Sequence, residues 1–268
     1  MDDIAPLSTP QQRFLQRLLA SHVVNDRNLQ EIWDEIKEES SSNNEPLGRN
    51  LNDTLGIINR SLKPAFGLEI RSVSLALNLG EDKDDEDEDE AEEDDTPTLY
   101  HTIINCQGDD VSKAAANPEM TKNPHELALF RLIIESLVEM SSNEDDDGDD
   151  ENDGSARKKR KRNRRGMGCQ ASVSRMDMIN MRTKLTGAHA GTLTVTQVEN
   201  AIHLFVSQGW FVQAANPNGR SKKAAKKRNS MGGSRFLQLG PRSYMEFPEF
   251  LELVGLDKDL LPQFLIHG

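Results

Sequence analysis

Apolar positions fall along this chain in runs whose period changes, and the changes mark its elements. After Pro10, QQRFLQRLLA places Phe14, Leu15, Leu18 and Leu19 on one helical face. A short loop at Asn25–Asn28 precedes Leu29, Ile32, Trp33 and Ile36, which repeat the spacing and predict a second helix closed by the polar SSSNNEP. Leu51, Leu55, Ile58 and Leu62 predict a third, stopped by Pro64 and Gly67. The period then shortens to two. Residues 68–79 read as a strand whose phase slips near Ser72, as a bulge or bend would require, and LYHTIIN at 99–105 reads as a second. The pair predicts a hairpin with an overgrown tip, since a longer loop adds little closure entropy.

The order then recurs. Leu127, Phe130, Ile134 and Leu137 predict one helix, and Val173, Met176 and Ile179 another. Thr194 and Gln197 form a capping-box signature ahead of a third, with Val198, Ile202, Phe205 and Val206 as its stripe. Gly209 ends that helix, WFV at 210–212 begins a strand, and SRFLQL at 234–239 returns. A last helix carries Tyr244, Phe247, Leu251 and Val254. Three helices and a hairpin are the winged-helix order, a compact relative of helix-turn-helix. The expected fold is therefore α+β, with tandem winged-helix domains at 10–106 and 121–240. Long disordered charged inserts are expected at 80–96, 141–168 and 216–234, a disordered N-terminus at 1–9, and a helical C-terminal stretch over 241–268.

Composition changes this picture little, because the shortage of apolar residues behind the hydrophobic fraction of 35% is concentrated in the inserts. Outside them apolar usage is ordinary for a globular chain, about 45–50%. The net charge of −13 is likewise local. Thirteen acids stand in 81–95 and eight in 144–153, followed by eight cations in 157–165 and six in 220–228. Such blocks repel themselves and are solvated. The acidic runs read as tolerated surface inserts, as competitors with DNA for basic patches, or as contacts to a basic partner. Ser141 and Ser142, just before acids, suit an acid-directed kinase. Arg157, Lys158, Lys159, Arg160, Lys161, Arg162, Arg164 and Arg165 form a nuclear-import or phosphate-contact candidate, joined by Lys222, Lys223, Lys226, Lys227 and Arg228. Any such DNA contact would be weak, non-specific and salt-dependent.

No stretch nears 18 consecutive apolar residues, so no membrane span is expected, and the acidic N-terminus has no signal-peptide pattern. Cys106 and Cys169 are too few for a disulfide framework or a cysteine-rich zinc site, which points to a reducing compartment. None of the nucleotide-loop, nucleophile-elbow or zinc-protease motifs occurs, so no catalytic residue and no cofactor is assigned. His101 and Cys106 are expected on opposite sides of a strand, as a surface histidine and a buried thiol. His189, in TGAHAGT, has no acid or cysteine partner in view, and His203 borders an apolar stripe. Trp33 and Trp210 read as core. A DNA-reading third helix needs cations or amides outward. The helix at 194–208 offers Thr196, Glu199, Asn200, His203, Ser207 and Gln208, without a cation. The helix at 50–63 offers Arg49, Asn52, Asp53, Asn59, Arg60 and Lys63, a mixed set. Protein docking fits better than sequence-specific DNA reading.

Five segments in series carry a resemblance: PQQRFLQRLLASHVV, LNDTLGIINRSLKPAFGLEIR, LYHTIINCQGDDVSKAA, ELALFRLIIESLVE, and VTQVENAIHLFVSQGWFV with RFLQLGPRSYMEF. Together they resemble the Nse1 subunit family of the Smc5–Smc6 complex. The resemblance implies two winged-helix domains that pair with a MAGE-type subunit on the kleisin subunit, serving DNA repair by homologous recombination in the nucleus. It also implies a C-terminal variant RING that binds zinc and, with the MAGE-type partner, acts as a ubiquitin ligase on a charged ubiquitin-conjugating enzyme. The sequence given stops at LLPQFLIHG, where the first zinc ligands would be expected, and His267 cannot form such a site alone. These 268 residues are therefore expected to hold no stoichiometric zinc and to support no ubiquitin transfer. The alternatives are a free-standing winged-helix nucleic-acid-binding protein, and an active RING-type ligase whose RING follows Gly268.

Overall fold

The computed structural model describes residues 6–41, 46–77, 97–106, 123–143, 166–214 and 236–267. The chain is mixed α+β and divides into two compact units. The first comprises Met1–Leu75, Thr98–Lys122 and Gln263–Gly268; the second comprises Ala76–Pro97 and Asn123–Pro262. The three inserts fall almost wholly outside the described residues, as do all thirteen cations singled out above.

In the first unit, α1 (Thr9–Ser21) opens earlier than expected. Ser8 and Gln11 cap it reciprocally, and Pro10 sits in the first turn, where its missing N–H has no partner to lose. Within the stretch expected to be disordered, Leu7 packs on the core and Ser8 Oγ donates to Pro46 O at 2.6 Å. The predicted loop at Asn25–Asn28 is replaced by strand β1 (Val23–Asn25) leading directly into α2 (Asp26–Ser41). Helix α3 (Leu51–Phe66) runs through Pro64 and ends at Gly67, whose left-handed φ of 65° lets its N–H reach Lys63 O. Phe14, Leu18, Leu29, Trp33, Ile36, Leu55, Ile58 and Leu62 form the core, and Trp33 Nε1 donates to Thr54 Oγ1 at 2.9 Å.

The sheet covers that core. Strands β2 (Leu68–Leu75) and β3 (Thr98–Asn105) pair antiparallel without interruption, from Leu68↔Asn105 to Leu75↔Thr98. No bulge interrupts β2 at Ser72; the apolar phase slips because Glu69 and Ser72 are buried polar residues. Strand β1 adds to one side, and a strand the sequence did not announce, β7 (Phe264–Ile266), adds to the other, giving the order β1-β3-β2-β7. A central strand is covered on both faces, so alternation fails there.

In the second unit, α4 (Pro124–Asn143) takes three residues from the insert expected at 141–168. It buries Leu129, Phe130, Ile133, Ile134, Leu137 and Val138, leaving Leu127 exposed. At the insert's other end, Gly166 N and Gly168 N donate to Asp259 O and Leu260 O. The helix predicted from Val173 is shorter. Val173 and Ser174 form β4, Ser174 caps α5 (Arg175–Asn180), Met178 rather than Met176 is buried, and a 3-10 turn follows at Met181–Lys184. After a second turn at Gly187–His189, α6 (Val195–Ser207) begins with the expected Thr194–Gln197 box. Strands β5 (Phe211–Ala214) and β6 (Phe236–Leu239) pair as predicted, and β4 joins β6, giving β4-β6-β5.

The single last helix is instead two short ones, α7 (Pro241–Glu246) and α8 (Pro248–Leu253). Phe247, before proline, is pushed off helical geometry to φ −124°, ψ 36°. Gly240 precedes them where the backbone of Gly209 passes so close that a Cβ would sit 2.3 Å from its carbonyl oxygen.

Candidate functional site

The outward faces proposed for nucleic-acid reading contain fewer available groups than the sequence suggested. On α3, Asn59 is buried, Arg49 pairs with Asp53 at 3.5 Å, and Lys63 pairs with Glu69 at 2.6 Å. On α6, Gln208 is buried and its Oε1 accepts from Trp210 Nε1 at 2.9 Å, leaving Thr196, Asn200, His203 and Ser207 exposed.

The most developed polar arrangement lies in the first unit, between β2, β3, β7 and the start of α2. His101 and Cys106 reverse their expected places: the histidine is 1% exposed and the cysteine is exposed. His101 Nε2 lies 3.1 Å from Asp26 Oδ1, and His101 Nδ1 lies 2.7 Å from Ser72 Oγ. Ser72 Oγ in turn lies 2.6 Å from His267 Nε2. With Asp26 ionised only one direction satisfies every atom. His267 Nε2–H donates to Ser72, Ser72 O–H donates to His101 Nδ1, and His101 Nε2–H donates to the carboxylate. Asn59 completes the arrangement: its Nδ2 donates to Ile70 O at 3.0 Å and His267 O at 2.9 Å, and its Oδ1 accepts from Ile70 N at 2.7 Å.

Serine, histidine and aspartate in series have the composition of a hydrolytic triad, but the surroundings give them another role. Ser72 is fully buried and its oxygen is occupied by a ring on each side, so no carbonyl carbon can approach it. The chain is a hydrogen-bonded staple of β7 onto β2. Burial pulls the His101 ring below the usual histidine range against the opposing pull of Asp26, and burial likewise lowers His267. One proton added at His101 Nδ1 can be met by reversing the Ser72 hydroxyl, provided the His267 hydrogen moves from Nε2 to Nδ1. A second leaves that hydroxyl between two donors.

Beside it, Glu69 is 1% exposed. Its Oε1 accepts from Lys63 Nζ at 2.6 Å, and its Oε2 accepts from Arg71 Nε at 2.9 Å and Cys106 Sγ at 3.4 Å. Burial pulls the carboxyl upward, but these donors outweigh it and hold Glu69 below the ordinary range. Burial and the Glu69 charge raise the Cys106 thiol, which disfavours its nucleophilic form.

The second unit is aromatic. Phe130 stands edge-on to Phe205 at 5.0 Å and Trp210 at 5.7 Å, and Phe247 stacks on Trp210 at 5.0 Å. Arg242, 5% exposed, covers the indole with Cζ 4.1 Å from the ring centre, and its Nε donates to Glu246 Oε1 at 2.6 Å. Tyr244 Oη accepts from Cys169 N at 2.7 Å, and burial raises its phenol well above the ordinary value. His189 has a partner that sequence spacing could not reveal: His125 Nδ1, 3.0 Å from its own Nδ1.

Among the described residues, no group of three or more His, Cys, Asp or Glu converges as a metal site, and no helix is long and apolar enough to cross a membrane. The described residues therefore do not supply a RING zinc site. What these elements define is a two-unit α+β protein, each unit joining helices to an antiparallel sheet. Residues 11–221 match the family model described as the Nse1 non-SMC component of the SMC5-6 complex, and the chain belongs to that family. A solved chain described as "Nse1-Nse3-Nse4 complex" is similar in fold, with TM-score 0.54 and 16% identity over 92% of this chain and 75% of that one. No curated protein matches.

Proposed function

We propose that this chain is a structural subunit of an Smc5–Smc6-type complex. Its two units serve as winged-helix modules that dock on a MAGE-type subunit and, with it, on the kleisin, in nuclear DNA repair by homologous recombination. The family match over 11–221 carries the reading. The similar chain described as an Nse1-Nse3-Nse4 complex supports the choice of partners. The order α1-β1-α2-α3-β2-β3 in the first unit supports the winged-helix assignment. Pairing of Arg49 and Lys63 with acids favours a protein surface over a DNA reader. Ubiquitin transfer is proposed only for a form in which a C-x-x-C-rich RING follows these residues.

Co-expression with MAGE-type and kleisin subunits tests this. A stable three-subunit species on gel filtration is expected, with little duplex DNA retained by the chain alone. Failure to co-purify, together with tight salt-sensitive DNA binding lost on neutralising 157–165 and 220–228, would replace it with the free-standing DNA-binding reading.

A further inference from the structure

Two histidines of the second unit meet edge-on, outside every role given above. His125 lies in the first turn of α4 and His189 ends the Gly187–His189 turn. Their Nδ1 atoms approach to 3.0 Å, with ring centroids 5.1 Å apart and ring planes at 76°. Both residues are half-buried, so water and small ions reach them. The local backbone sets each. Asn123 Oδ1 accepts from His125 N at 3.0 Å, and Asn123 Nδ2 donates to Glu126 Oε1 at 2.7 Å. Opposite, His189 N donates to Thr186 O at 3.2 Å, and His189 O accepts from Thr192 Oγ1 at 2.8 Å.

Two neutral imidazoles meet at this distance when one Nδ1 carries hydrogen and the other a bare lone pair. The spacing is also that of two adjacent ligands on one metal ion. With metal–nitrogen bonds of about 2.0–2.1 Å, two nitrogens at a right angle stand about 2.9 Å apart, and at the tetrahedral angle about 3.3 Å. The observed 3.0 Å falls at the square-planar end of that interval, the geometry preferred by Cu2+ and Ni2+.

We propose that His125 and His189 form a two-histidine site for a divalent late transition-metal ion, Cu2+ or Ni2+ ahead of Zn2+. Among the described residues no third His, Cys, Asp or Glu completes a cluster here, so water fills the other positions. On binding, the ring that donated from Nδ1 shifts its hydrogen to Nε2. Both rings then present an Nδ1 lone pair and no net proton is released. The ion ties the start of α4 to the turn before α6. The site uses no cysteine, and it runs against the expectation that these residues hold no metal.

The full chain, purified without a histidine tag, is titrated with Cu2+ and read by electron paramagnetic resonance and by melting temperature. One ion per chain with two nitrogen donors is expected, together with a rise in melting temperature. His125→Asn and His189→Asn should each remove the two-nitrogen signal and the rise, while melting normally without metal; His203→Asn, on an exposed face of the same unit, should keep both. A signal unchanged in either of the first two variants, or purely oxygen coordination as the acidic runs would give, overturns the assignment.

Discussion

In the first unit the polar residues Asn59, Glu69, Ser72 and His101 are buried, whereas the second is filled at its centre by Phe130, Phe205, Trp210 and Phe211. The aromatic centre draws its stability from apolar area and ring packing, which hydrogen-ion concentration does not touch. The polar centre draws register from hydrogen bonds that fail together when one partner is lost. Two units of similar element types thus differ in what disturbs them.

The largest expected effect is in the second unit. Trp210→Ala should cost about 3–5 kcal/mol there, read as lost amide protection in α6 while β2 and β3 are unaffected. Asn59→Ala is the counterpart in the first unit. It should cost about 1–3 kcal/mol for each buried backbone group left unpaired, with amide exchange rising first at Ile70, whose N–H loses its acceptor. Equal losses spread over both units would erase the contrast.

Acid should separate them next. His101 and His267 are held below the ordinary histidine value of 6.5, so their contribution is fully present above that pH. It is lost as pH falls below 6.5, when the unfolded chain takes up protons the fold resists. Protection of β2 and β7, corrected for intrinsic exchange, should therefore decline as pH falls below about 6.5, ahead of α6. The decline should vanish in a His101→Gln, His267→Gln double variant. The smallest effect should be common to both units: Ser8→Ala and Thr194→Ala each remove a capping box and should cost about 1 kcal/mol by denaturant titration.

Local rules made the apolar skeleton legible. The stripe of α6, its capping box and the β2–β3 pair follow from spacing alone. Shorter or weaker signals did not: β1 has three residues, and the Phe247–Pro248 break was read through as helix. The reciprocal cap at Ser8 was present in the sequence as S-x-x-Q but stood behind Pro10, which reads more readily as a breaker. The polar centres were hidden for a different reason. Ser72 meets His267 across 195 positions, and His125 meets His189 across 64, so no window of sequence contains both partners. Asn59 and Gln208 read as outward because amides usually are; Asn59 is drawn inward by Ile70 and His267, and Gln208 by the indole of Trp210 two residues on.

Strand β7 has a consequence for synthesis. The first unit needs Phe264–Ile266 to cover the edge of β2, yet these residues follow the whole of the second unit along the chain. As the polypeptide leaves the ribosome, the second unit therefore has all of its strands in hand before the first does. The unit that begins earlier finishes later. Until then β2 presents an open row of amides and carbonyls to any passing strand, so a nascent chain halted before Gln263 would be the form most in need of a chaperone.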